Sequence, residues 1–213
     1  MDIVWLGHSC FRLKSREGSV IVDPYHESLG SSLGKLKADV VLVTHDHAGH
    51  NNVTAVSEFR KVVSGPGEYE VRDIMIHGIR TYHDDQDGAL RGKNTAYLIR
   101  MDGVVVCHLG DLGHLLSSSQ ADELDDVDVL LIPVGGESTI GPGEAVEIIG
   151  SIDPRIVIPM HFQVDGIRPD LDTADRFLRE MGAAGVQAVT RLVVNRSNVP
   201  EDTQVVTLDR RRQ

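Results

Sequence analysis

Cysteine is scarce and scattered: the 213 residues hold only Cys10 and Cys107, far apart and outside any Cys-x-x-Cys pair. A disulfide framework is therefore excluded, and two reduced thiols are expected. Positive charge is also short. Lys and Arg total 21 against 32 Asp and Glu, a formal charge of -11, and the one basic run is Arg210-Arg211-Arg212. A duplex nucleic-acid surface is disfavoured by that balance, so no nucleic-acid partner is expected. Long apolar runs are missing as well. Met1 to Leu6 lacks a basic region and is too short for a signal peptide, and no later stretch approaches membrane-spanning length. These absences point to the cytoplasm, with no membrane association.

The 41% of hydrophobic residues is ample for a core in one large domain or two small ones. Short strands are expected at Ile3–Leu6, Phe11–Lys14 and Ser19–Asp23, an opening β-meander, then a buried strand at Asp39–Val43. Lys61–Ser64, Glu68–Val71 and Asp73–Tyr82 read as further strands, and Asp84–Lys93 as a loop. Asn94–Met101 and Val104–Leu109 flank Asp102-Gly103, a two-residue hairpin signal. Behind them, helices at Leu115–Leu124, Glu144–Ile152 and Asp172–Met181, the last with Asp172 as N-cap, alternate with strands at Val127–Val134 and Arg155–Met160. Arg191–Asn195 and Thr203–Leu208 would be closing strands. With no repeat and no linker, the expectation is one mixed α/β domain over 1–213, two sheets covered by helices.

Thr44-His45-Asp46-His47-Ala48-Gly49-His50-Asn51-Asn52 places three imidazoles within six residues at the end of a buried strand. Ligands collect at the carboxyl ends of strands in open α/β architectures, so this is read as a metal-binding loop. The plainer alternatives are a solvated polar loop, or a cap for a helix over Val53–Arg60. His83, Asp111 and His161 share the placement, each following a strand. Five histidines and one aspartate from four strand ends could hold two divalent ions, zinc first and manganese second.

The chain resembles the metallo-β-lactamase superfamily, whose loop His-x-His-x-Asp-His is followed by a separate His, a bridging Asp and a final His. It is most similar to the branch of small bacterial metal-dependent hydrolases that includes the ascorbate-6-phosphate lactonase. The matching pieces are Trp5-Leu6-Gly7-His8-Ser9-Cys10, Asp23-Pro24-Tyr25, the histidine loop, Gly65-Pro66-Gly67-Glu68-Tyr69, Gly110-Asp111-Leu112-Gly113, Ile132-Pro133-Val134-Gly135-Gly136 and Pro159-Met160-His161. The resemblance implies a four-layer αββα sandwich with the site between the sheets. It also implies that His45, His47 and His83 hold one metal, that His50 and His161 hold a second, and that Asp111 bridges them. The implied activity is hydrolysis of an ester, lactone or phosphoester by metal-bound hydroxide. The expected partner is a small, anionic substrate, with homo-oligomerisation left open.

Where the family carries Asp before the third histidine, this chain has Gly49. The second site is expected to be one donor short, its metal weaker or absent so that the chain holds one or two ions, with Gly49→Asp tightening it. That departure motivates an alternative, a metal- or ligand-binding protein that has lost hydrolysis; a nuclease is less favoured. His8 is read either as a group beside the site, with a catalytic part alongside Asp111, or as a structural histidine. His114 is a weaker candidate for proton transfer, and His26, His77 and His108 are read as structural or surface residues. Pro133–Gly136 is either a tight turn or a set of amides facing an oxyanion. Arg80, Arg91, Lys93 and Arg168 are the cations nearest the ligands in sequence.

Overall fold

A computed structural model describes residues 1–167 and 170–211; Arg168 and Arg212 lie outside the described residues. The chain opens with β1 (Asp2–Gly7), β2 (Cys10–Lys14) and β3 (Ser19–Val22), then β4 (Leu36–Lys37), β5 (Val40–Val43), β6 (Val56–Ser57), β7 (Lys61–Ser64), β8 (Gly67–Val71), β9 (Ile74–Tyr82), β10 (Lys93–Met101) and β11 (Val104–His108). There follow α1 (Ser118–Glu123), β12 (Val129–Pro133), α2 (Pro142–Ile152), β13 (Ile156–Met160), α3 (Asp175–Glu180), β14 (Leu192–Val193) and β15 (Gln204–Val205).

Two mixed sheets form, ordered β14-β1-β2-β3-β5-β7 and β15-β13-β12-β11-β10-β9-β8. The meander is antiparallel, and β5 and β7 join it in parallel. In the second sheet β8 to β11 run antiparallel and β11, β12, β13 and β15 parallel. Strands buried on both faces read as unbroken apolar runs, as Val40–Val43 and Val129–Pro133 do. Apolar side chains of both sheets, among them Phe11, Leu42, Tyr97, Leu131 and Ile158, fill one core between them. Burying each such side chain fully contributes about 1.5–3 kcal/mol.

The outer face of the second sheet packs Ala145, Ile148 and Ile149 of α2 and Phe177 of α3. Over the first sheet the cover differs from long helices: two 3-10 turns, at Glu27–Leu29 and Val53–Ala55, and the parallel pair β4–β6 pack against Val4, Leu6, Ile21 and Val41. The helix over 53–60 that the plainer alternative required does not form. Val53, Thr54 and Val56 are β-branched, and Val56 pairs with Leu36 instead.

Two helix starts also differ from expectation. Helix α1 begins only after Ser117, whose hydroxyl accepts the Gln120 N–H while the Gln120 side chain accepts the Ser117 N–H. Asp172 does not cap α3, because its backbone is held by Gly135 O and Gln163 N–H, and the helix starts three residues later. No helix among the described residues is long and apolar enough to cross a membrane.

Candidate metal centre

One rim of the sandwich gathers the ends of β1, β3, β5, β9, β11 and β13. Parallel pairing of β3 with β5 brings Asp23 beside the start of the histidine loop, and the Asp23 N–H donates to Leu42 O. From the opposite sheet come His83 after β9, Asp111 after β11 and His161 after β13. Close approach is built in at Gly113, where an added Cβ would lie 2.4 Å from the His83 carbonyl carbon. A side chain there would push the Asp111 turn away from His83.

The six residues read from strand ends do converge. Asp111 Oδ2 lies 3.1 Å from His50 Nε2, 3.2 Å from His83 Nε2, 3.3 Å from His161 Nε2 and 3.7 Å from His45 Nε2. One carboxylate oxygen has too few lone pairs for four hydrogens, so hydrogen bonding alone does not account for this arrangement. His45, His47 and His83 form a compact group of donors, as do His45, His50 and Asp111. Of these only His47 is exposed; the others are buried.

Charge is distributed unevenly over the cluster. Burial, followed by the nearby His50, pulls His45 down to about 2. His47 is lowered by burial and by His83. Burial opposes protonation of His50 too, but the Asp111 and Asp23 carboxylates outweigh it and raise His50 to about 10. Burial would raise Asp111, yet His161 and His50 hold it well below the usual carboxylate range. His8 is kept neutral by burial and by the adjacent His161 and His50.

The tautomers follow from hydrogen bonds. Thr44 donates its hydroxyl to Asp23 Oδ2 at 2.7 Å, so its contact of 2.9 Å with His45 must be donation from His45 Nδ1–H. That leaves the His45 Nε2 lone pair facing Asp111, buried and without a hydrogen-bond partner among the described residues. His50 Nδ1–H donates to the same Asp23 oxygen at 2.8 Å. A cation taking the place of the proton that Asp111 and Asp23 hold on His50 would meet imidazole nitrogens aimed inward around one carboxylate, a donor set that suits a borderline metal such as zinc, so the residues present fit a metal.

Sequence reasoning missed three supports. Asp23 takes N–H and O–H bonds from Thr44 as well as the His50 proton. Asn94 fixes the Asp111 turn, accepting the Asp111 N–H and donating to Leu109 O. Asp84 accepts four backbone N–H groups, from Gln86, Gly88, Leu90 and Arg91, and so shapes the loop after His83. Although burial works against it, those four donors bring its carboxyl down to about 2. At Asp23 the signals were the motif Asp23-Pro24-Tyr25 and a carboxylate at the end of a strand, neither of which pointed to His50.

Other expected candidates separate. Asp46 turns outward and accepts from Asn51 Nδ2. The proton-transfer reading of His114 fails, because both its nitrogens are tied to backbone: Nε2 accepts the Tyr82 N–H and Nδ1–H donates to Leu115 O. His108 is structural, accepting the Gly110 N–H and donating to Ser9 O. Pro133 ends β12, Val134 N–H donates to Met160 O, and the hydrogen-bonded turn comes only at Gly136–Thr139; Gly135 packs on the His161 backbone, since a Cβ there would lie 2.2 Å from His161 O. Arg91 and Lys93 line an open cleft of about 540 Å³ beside His45 and His47, whereas Arg80 does not. The vacancy expected beside Gly49 is absent; the His8 ring fills it.

A family model described as the β-lactamase superfamily domain matches residues 2–161. The chain belongs to that superfamily. A UPF0173 metal-dependent hydrolase from Methanoregula boonei is 31% identical, the match covering 76% of this chain and 82% of the relative. A UPF0173 protein from Pyrococcus abyssi is also 31% identical, over 85% of this chain and 90% of the relative. A Thermotoga maritima structure, a candidate Zn-dependent hydrolase of the metallo-β-lactamase superfamily, aligns with a TM-score of 0.80 and 34% identity over 97% of each chain. The chain is thus a member of this family of metal-dependent hydrolases, with the metallo-β-lactamase fold.

Proposed function

We propose that the protein holds two divalent cations, zinc before manganese, and hydrolyses a small anionic ester, lactone or phosphoester in the cytoplasm. The observation that carries this reading is the convergence of four imidazole nitrogens on Asp111 Oδ2. His45, His47 and His83 would hold the first ion, His50 and His161 the second, with Asp111 shared. When bound there, such cations lower the pKa of water and polarise a carbonyl or phosphoryl oxygen.

The chain's own groups do the rest. Asp23 and Thr44 set the tautomers that present His50 and His45. Ser9 Oγ lies 3.4 Å from Asp111 Oδ1 and restrains that carboxylate from the far side. Arg91 and Lys93 at the cleft favour an anionic substrate over a neutral one. A free cleft of this size suits a small molecule rather than a duplex.

The test is a screen of esters, lactones and phosphodiesters with protein purified without chelator. Turnover of one class, abolished by chelator and restored by zinc, is expected. Metal-replete protein inert on all three would favour the non-hydrolytic binding reading that Gly49 first suggested.

A further inference from the structure

We propose that His8 is a direct ligand of the second cation, standing in for the carboxylate that Gly49 lacks. The inference rests on the metal reading above. An added Cβ at Gly49 would lie 2.8 Å from His8 Nε2 and 3.2 Å from His8 Cδ2. The imidazole therefore occupies the space into which a side chain at 49 would reach. His8, His50 and His161 each offer a ring nitrogen, all within 4.8 Å of one another and all buried. The His8 ring centroid is 4.3 Å from that of His161 and 5.1 Å from that of His50.

A structural histidine has a different signature in this same chain. His108 is equally buried, and both its nitrogens are satisfied by backbone. His8 Nδ1 is buried with no hydrogen-bond partner among the described residues. Its backbone, by contrast, is held firmly: the His8 carbonyl accepts both the Trp5 indole N–H at 2.9 Å and the His161 N–H at 3.2 Å. The residue sits in the left-handed region at φ 53°, as does His161 at φ 50°. The surroundings fix the chain on either side of the ring and leave the ring itself for something else.

Exchange of a carboxylate for an imidazole changes the chemistry of the site. The donors become His8, His50, His161 and Asp111, three nitrogens and one oxygen, which favours zinc, cobalt or nickel over manganese or magnesium. It also reverses the expected effect of Gly49→Asp. With His8 in place, the new side chain meets the imidazole and cannot simply add a ligand.

The experiment is calorimetric titration of the metal-free full-length protein with Zn2+ and with Mn2+, with metal counted by mass spectrometry after desalting. Four forms are compared: natural protein, His8→Ala, Gly49→Asp and the double variant, each checked for folding by circular dichroism. Two zinc equivalents are expected in the natural protein. His8→Ala should keep the first and weaken the second by about 100-fold or more. Gly49→Asp alone should not tighten the second, whereas the double variant should regain it and bind Mn2+ there better than the natural protein does. Unchanged binding of both equivalents in His8→Ala would overturn the role of His8 while leaving the metal centre intact. Tightening in Gly49→Asp with His8 present would overturn it too. If the natural protein takes up no divalent cation, the hydrolase reading itself falls, and the inference with it.

Discussion

Asp23→Asn is the sharpest test of how the site is held together, because the exchange keeps shape and removes one acceptor. In the native chain Asp23 Oδ1 accepts the Thr44 N–H at 2.8 Å, and Oδ2 accepts both the Thr44 hydroxyl at 2.7 Å and His50 Nδ1–H at 2.8 Å. The amide can keep its oxygen on the Thr44 N–H, but its NH2 then faces two donors. The relief open to His50 is to give up its Nδ1 proton and keep the one on Nε2, the atom 3.1 Å from Asp111. That tautomer leaves an N–H where a metal needs a lone pair. Substitutions that disturb a ligand's hydrogen-bond partner lower metal affinity by about 10–100-fold, roughly 1.4–2.8 kcal/mol. One charge-assisted hydrogen bond is also lost in a fully buried place, so the metal-free protein should lose about 1.5–3 kcal/mol of stability. Urea denaturation reads the second quantity and zinc calorimetry the first, while nitrogen-15 NMR reports the His50 tautomer directly. An Asp23→Asn protein that binds both zinc equivalents as tightly as the natural one, with His50 still protonated at Nδ1, would refute the reasoning.

Three further outcomes are expected. Asp84→Asn should expose the amides of Gln86, Gly88, Leu90 and Arg91 to hydrogen exchange; because the native carboxyl is depressed to about 2, its support for that loop is complete above the ordinary 3.8 and fades only as pH falls towards 2. Burial raises the thiols of Cys10 and Cys107, so neither should react with a thiol reagent in the native protein and both should titrate in denaturant; fewer than two would point to a hidden disulfide. Arg91→Ala should raise KM for an anionic substrate by about 10-fold with kcat little changed, whereas an equal fall in kcat would place the arginine at the reacting atoms.

Sequence carried the positions of the candidate ligands further than it carried the groups that support them. His45, His47, His50, His83, Asp111 and His161 each follow a strand legible in the sequence, and β5, β9, β11 and β13 run in directions that bring those ends to one rim. Asp23 also follows a strand, but a lone carboxylate before proline reads as a turn, and only the parallel pairing of β3 with β5 puts it against Thr44 and His50. His8 was noticed through its motif, yet its filling of the space beside Gly49 joins residues 41 positions apart and depends on packing that no spacing rule encodes. The outer cover of the first sheet departs from the expected helices for a related reason. Residues 53–60 have enough apolar positions for a helix, but pairing of Val56 with Leu36 overrides that local pattern.

The most direct measurement is anomalous X-ray scattering at the zinc edge from crystals of zinc-loaded protein. The account predicts two peaks about 3.5–4 Å apart flanking Asp111 Oδ2, one within ligand distance of His45, His47 and His83, the other of His50 and His161. A single peak remote from Asp111, or none in protein that has taken up zinc, would contradict it.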